Sequence, residues 1–256
     1  IVSFMMAGIA AGLAAICYAE MASSVPVSGS TYSYAYATLG EIVAMGVAAC
    51  LLLEYGVSTA AVAVGWSGYL NEAIRNITGL ELPHAILAAP WDAKPGVVNL
   101  PAVVLVGLCM ILLIRGASES AQINAIMVVI KLAVLAMFIV IALTAFNVDN
   151  FAEFAPFGVA GVATAAGTIF FSFIGLDAVS TAGDEVKDPQ KTMPRALLAA
   201  LFIVITFYVL VAVAAVGTQP WQVFEGQSEA GLARILENVT GTPIWGTILA
   251  LGAVIS

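Results

Sequence analysis

The sequence predicts an all-α integral membrane protein, and three observations carry that expectation. Hydrophobic residues make up 62% of the 256-residue chain and charged residues only 9%, against roughly 25% charged in an ordinary globular domain. Mean hydropathy is +1.05. The runs 1–19, 95–114, 154–176 and 196–224 hold no charged residue, and each meets the length of about 18 apolar residues that a membrane-crossing helix needs. Helices are the form expected, because backbone exposed to lipid must satisfy its own hydrogen bonds.

Seven apolar segments follow in order: 1–22, 42–69, 97–115, 121–146, 158–182, 196–217 and 242–256. In the first, Gly8 and Gly12 of "GIAAG" stand four apart and suit close helix approach. "MASSVPVSGSTYSYAYATLGE" then breaks the helix at Pro26 and Gly29, and the alternation of Tyr32, Tyr34 and Tyr36 fits an interfacial or re-entrant element. After the second segment, residues 70–96 gather Asn71, Glu72, Arg75, Glu81, His84, Asp92 and Lys94 with three prolines and read as a structured surface loop. The single histidine, His84, is expected to be a surface residue there. "GDEVKDPQKTMPR", 183–195, is a second polar connection. Residues 218–241 set Trp221, Phe224, Leu232, Ile235 and Leu236 against Glu225, Glu229, Arg234 and Glu237, the pattern of an amphipathic element lying on or capping the bundle. The chain opens on Ile1 and closes on Ser256 inside apolar runs. It is therefore expected to be one transmembrane domain, 1–256, truncated at both ends.

Strict alternation of seven spans places Arg115, Lys187, Lys191 and Arg195 on one side and Arg75, Lys94 and Arg234 on the other. The positive-inside rule makes the first side cytoplasmic and segment 218–241 extracellular. "NIT" at Asn76 and "NVT" at Asn238 match the glycosylation acceptor pattern on the expected outer side, but a motif this short arises often by chance.

Other classes are disfavoured. A net charge of -8 argues against a nucleic-acid surface, which needs clustered Lys and Arg. Cys17, Cys50 and Cys109 lack CxxC spacing, so they are expected as small buried packing residues, with no disulfide, metal or cofactor implied. No nucleophile and base stand together, so no enzyme is expected.

Charges inside apolar segments are the informative residues, since each costs about 2.5 kcal/mol or more at a helix centre. Glu54 lies in "CLLLEYGVST", Lys131 in "INAIMVVIKLAVLAMF" and Asp177 in "FFSFIGLDAVST". Lys131 has three readings: a proton carrier with a pKa lowered by desolvation, a structural ion pair with a partner such as Glu54, or a fixed ammonium standing where a coupling cation would sit. In "FIGLD", Gly175 weakens the helix and Asp177 can accept hydrogen bonds from freed backbone groups. The segment is thus either a helix unwound around a ligand, as in many secondary transporters, or a continuous helix in which Gly175 permits close packing.

Three stretches then carry a resemblance. "YAEMASSVPVSGSTYSYAYATLGE", "RGASESAQIN" and "FFSFIGLDAVSTAGDEVKDPQKTMPRAL" resemble, in that order, the amino acid–polyamine–organocation superfamily, and within it the cationic amino acid transporter family and its bacterial relatives. The resemblance implies the leucine-transporter fold, a five-plus-five inverted repeat, with this chain corresponding to spans two through eight. It implies substrate contacts at Ile174 and Gly175, with Phe171, beside Phe170, as the aromatic wall or gate. Lys131 matches the lysine that occupies a sodium position in proton-coupled relatives, and Glu54 an acid of the third span. The expected activity is secondary amino acid transport by alternating access, proton-coupled and sodium-independent, in a bacterial cytoplasmic membrane. An amino acid or polyamine exchanger and a non-transporting sensor are the rival readings. The expected partners are an amino acid, protons and the lipid bilayer, and an accessory membrane subunit is left open. Cationic, alanine-like and broad neutral substrates all fit the resemblance, while Phe171 and Ile174 favour small or neutral ones.

Overall fold

The computed structural model describes residues 1–24, 27, 29–92, 94–116, 121–152, 154–181, 186–224 and 230–255. All regular structure among them is helical. The α-helices are α1 (Val2–Ser24), α2 (Ser30–Leu39), α3 (Glu41–Thr78), α4 (Leu100–Ile114), α5 (Ala121–Thr144), α6 (Gly158–Phe170), α7 (Leu176–Ser180), α8 (Pro189–Thr218), α9 (Trp221–Phe224), α10 (Gly231–Thr240) and α11 (Pro243–Ile255). Short 3₁₀ turns occupy His84–Ile86, Val148–Phe151 and Phe171–Phe173. Among the described residues, five stretches are long and apolar enough to cross a membrane: Val2–Ser24, Glu41–Thr78, Gln122–Thr144, Gly158–Val179 and Gln190–Thr218.

The helices depart from the expected boundaries in ways that have local causes. Residues 30–39, expected as an interfacial or re-entrant element, form a regular helix between Gly29 and Gly40. The second apolar segment does not stop at residue 69, because α3 continues to Thr78. Its polar C-terminal residues read as loop but pair along the helix, Glu72 with Arg75 at i,i+3. The helix stops where Gly79 takes φ +72, with its amide donating to the Arg75 carbonyl. At 38 residues α3 is about 57 Å long, well beyond a hydrocarbon core of about 30 Å, so its charged end stands clear of the apolar layer. Part of the polar connection 183–195 is also helical, since α8 begins at Pro189, the residue type that suits a first helical position.

The chain divides into two compact units, Ile1–Ser58 with Glu153–Leu210, and Thr59–Ala152 with Val211–Ser256. In the first, Ala7, Ala11 and Ala15 form a buried stripe on α1 that packs with Phe173 and Leu201, edged by Ile169, Val204, Ile205 and Tyr208. Small residues matter here because helices in lipid are held by close packing, with no hydrophobic drive between them. A Cβ on Gly8 would stand 2.9 Å from the Ile205 side chain, and one on Gly12 3.5 Å from Leu201. The Ser3 hydroxyl adds a 3.1 Å bond to the Val162 carbonyl of α6.

In the second unit, α10 packs on α11 and α5. Its buried Ala233, Ile235 and Leu236 supply the apolar face expected of segment 218–241, while Glu225 and Glu229 lie outside the described residues. Trp66 Nε1 donates to the Val254 carbonyl at 3.0 Å, tying α3 to α11.

Much of the surface is apolar: Ile42 is 91% exposed, Leu52 78% and Phe202 74%. Such faces suit lipid. They also correct one expectation, because Cys17, Cys50 and Cys109 are exposed rather than buried. Burial is what apolar residues seek in water, and a helix face turned to lipid gains nothing from it.

Candidate substrate site

The centre of the site is an interruption in the apolar stretch that begins with α6. The helix ends at Phe170, a 3₁₀ turn covers Phe171–Phe173, Ile174 is extended at φ -58 and ψ 140, and Gly175 takes φ +104 before α7 starts. Only glycine occupies that backbone region without strain, because a Cβ would collide with its own carbonyl. The last carbonyls of α6 and the first amides of α7 fall outside a continuous helical ladder. The segment thereby gains backbone hydrogen-bonding groups inside an apolar stretch.

Hydroxyls from three other helices brace the interruption. On the α6 side, Tyr208 Oη of α8 donates to the Ser172 carbonyl at 2.9 Å. Its ring meets Phe173 edge-on at 5.4 Å and Phe4 at 5.7 Å. On the α7 side, Asp177 is 6% exposed. Its carboxylate accepts a hydrogen bond from Tyr55 Oη of α3, and its carbonyl accepts one from Ser30 Oγ of α2 at 2.9 Å. Tyr18 and Thr31 share a hydroxyl contact of 2.9 Å nearby in the chain's first unit.

Around this frame the sequence-derived candidates take different positions. Phe170 and Phe171 are exposed at 43% and 38%, and Ile174 is half-buried. Glu54 is half-buried on α3 beside Tyr55, with its carbonyl accepting from Ser58 Oγ at 2.6 Å. Lys131 belongs to α5 in the other unit, where it is exposed. Asp177 keeps company with a phenol and a serine, partners that sequence reasoning did not assign. Tyr55, Ser30 and Tyr208 were missed altogether. For Tyr55 and Tyr208 the available signal was a phenol within an apolar run, whose O–H seeks a partner away from water. Among the described residues, no group of three or more His, Cys, Asp or Glu side chains is arranged to hold a metal ion.

Long apolar helices, one of them interrupted at a glycine, are those of an integral membrane protein. The chain belongs to the amino acid permease family, which matches it over residues 1–256 and falls in the amino acid–polyamine–organocation superfamily. It is similar to the methylthioribose transporter of Bacillus subtilis (strain 168), 40% identical over 221 residues, covering 86% of this chain and 48% of that one. It is also similar to the branched-chain amino acid permease BcaP of the same organism, 40% identical over 256 residues, covering 99% and 54%. A more distant relative is the vacuolar cationic amino acid transporter 4 of Arabidopsis thaliana, 36% identical over 227 residues, covering 86% and 37%. The chain thus spans about half the length of the bacterial relatives. These relatives are named as transporters and permeases, in keeping with a protein that is not an enzyme.

Proposed function

We propose that the full-length protein is a secondary transporter of neutral aliphatic amino acids, working by alternating access in a bacterial cytoplasmic membrane. The observation that carries the proposal is the left-handed Gly175 between α6 and α7, set in a chain of the amino acid permease family. Backbone groups freed there suit the charged ends of an amino acid, and half-helix termini at mid-membrane hold substrates in this way in other transporters. Phe170, Phe171 and Ile174 supply an apolar rim that favours an aliphatic side chain, and the 40% identity to a branched-chain amino acid permease points the same way.

Coupling is proposed to protons. Lys131 would carry a fixed or titrating positive charge where a metal cation would otherwise sit, and Glu54 would lie on the proton route. The five-plus-five inverted repeat belongs to this proposal too, with the present chain supplying spans two through eight.

The methylthioribose transporter, equal in identity to the branched-chain permease, favours a second reading in which the substrate is a thioether sugar. Uptake by the full-length protein in sodium-free proteoliposomes separates the two. A panel of labelled amino acids and labelled methylthioribose is presented with and without an inward proton gradient. Gradient-driven accumulation of leucine, isoleucine or valine is expected. Accumulation of methylthioribose alone overturns the amino acid reading, and amino acid exchange indifferent to the gradient overturns the coupling.

A further inference from the structure

The second unit contains a cavity of about 580 Å³ lined by charged and apolar residues, within the usual range of roughly 300–1,000 Å³ for small-molecule sites. It is walled by the charged end of α3, the connection to α4, and Arg234 of α10. In the expected topology this is the outer side.

The cavity is built rather than accidental. Asn99 caps α4 by accepting from the Ala102 amide at 3.2 Å, and its amide group donates to Ser67 Oγ at 2.8 Å and to the Leu87 carbonyl at 3.0 Å. Asn71 Oδ1 accepts from the Leu82 amide at 3.1 Å, and Asp92 from the Ala89 amide at 2.8 Å. Gly96 passes so close to Ala88 that a Cβ would lie 2.2 Å from its carbonyl oxygen. These contacts fix the connection against α3.

Its charges are mixed and only partly used. Glu72, 1% exposed, is held by Arg75 and lies 3.7 Å from Arg234, a distance at which the Arg234 pair is ionic without a good hydrogen bond. Arg234 Nε is buried with no hydrogen-bond partner among the described residues. Among the same residues, the salt bridges involve Glu72, Arg75, Arg234 and Glu237 but neither Lys94 nor Glu81. Both of the latter line the cavity, as do the apolar Leu82 and Leu87. A buried guanidinium donor left open is costly unless something accepts from it.

We propose that this cavity is a second binding site, for a free zwitterionic amino acid with an aliphatic side chain. Its carboxylate meets Arg234 and Lys94, its ammonium meets Glu81 and Asp92, and its side chain lies along Leu82 and Leu87. A lining that holds charges of both signs together with apolar residues suits a zwitterion better than a simple anion or cation, each of which would leave one set of charges unmatched. The ligand class rests on the amino acid reading above, but the site rests on its own residues. Such a site concentrates substrate at the mouth of the protein before transport.

The test is equilibrium dialysis of labelled leucine against the purified full-length protein in nanodiscs. Two equivalents are expected. Lys94→Gln and Glu81→Gln should each weaken one equivalent by tenfold or more and leave the other intact, while Gly175→Ala should remove the other. Both Lys94 and Glu81 are exposed, so their loss should not disturb folding. Acetate and methylamine at matched concentration should not displace the cavity-bound leucine. One equivalent unchanged by Lys94→Gln and Glu81→Gln overturns the cavity site, and displacement by acetate or methylamine alone overturns its zwitterion preference. A single equivalent that persists in Gly175→Ala and is lost in Lys94→Gln leaves the cavity site standing and removes the central one.

Discussion

Ser30 and Asp177 lie 147 positions apart and are joined by a 2.9 Å hydrogen bond from the serine hydroxyl to the aspartate carbonyl. Ser30 makes this contact at φ +47, a left-handed conformation that costs a non-glycine residue about 1–2 kcal/mol. Ser30→Ala keeps the strain and loses a bond of about 1 kcal/mol. Ser30→Gly loses the same bond but relieves the strain. The glycine variant of the full-length protein is therefore expected to melt close to wild type in detergent, and the alanine variant several degrees lower. Equal melting temperatures would show that the strain is not stored at this residue.

The phenol of Tyr55 reaches the same aspartate through its carboxylate. Tyr55→Phe retains the ring and removes the donor, which for a hydrogen bond to a charged group is worth about 1.5–3 kcal/mol. A cycle with Asp177→Asn isolates the pair, and the double variant should be less destabilised than the sum of the singles. Strict additivity in chemical denaturation would dismiss the contact as energetically idle.

Gly175→Ala forces a side chain into φ +104. Among the described residues beyond its two chain neighbours, no atom lies within 4 Å of the added Cβ, so the penalty is conformational rather than crowding by packed groups. On the transport reading, amino acid uptake by the full-length protein is expected to fall more than tenfold. Retention of near-normal uptake would place the substrate elsewhere.

If Lys131 carries the coupling charge, Lys131→Met should make uptake insensitive to the proton gradient while binding of amino acid persists. A variant whose gradient dependence matches wild type would leave the lysine without a role in coupling.

The cluster at the end of α3 gives a prediction about stability alone. Glu72 has 2% side-chain exposure and serves Arg75, while Arg75 also pairs with Glu237 at 3.2 Å and Asn76 bonds to Glu237. Breaking a buried pair by removing one partner costs about 3–5 kcal/mol, less here because both arginines reach solvent. Glu72→Gln is thus expected to destabilise by about 2–3 kcal/mol, a loss seen in denaturant titration and weakened at high salt. Asn76, being engaged with Glu237 in this way, is poorly placed as a glycosylation acceptor.

The helical membrane architecture was legible from length and hydropathy, because a bilayer admits few alternatives. The possibility of a break at "FIGLD" was legible too, since Gly175 and Asp177 both contradict their apolar surroundings. Helix ends were less legible where polar residues stay helical by pairing with one another, as along α3 from Asn71 to Asn76. The bracing hydroxyls of Ser30, Tyr55 and Tyr208 were hidden for a different reason. Each joins the broken segment from a distant stretch: Ser30 is one of several hydroxyls in α2, and for Tyr55 and Tyr208 periodicity within a largely apolar helix does not say which face meets which neighbour. The cavity by α3 was hidden within what looked like an ordinary polar loop.

Each compact unit is assembled from two stretches separated by many residues, and this has a consequence for how the protein is made. The ribosome delivers residues 1–58 well before 153–210, the stretch that completes the same unit. At about 5–20 residues per second, α1 waits roughly 7–37 s for α6 and the first part of α8. Through that interval its alanine and glycine stripe has no native partner in the first unit's later stretch. The nascent chain must rely on lipid or on the insertion machinery to keep that surface from pairing wrongly. Slowed synthesis across residues 59–152 should therefore lengthen the period of greatest vulnerability to degradation, without changing a single contact in the finished protein.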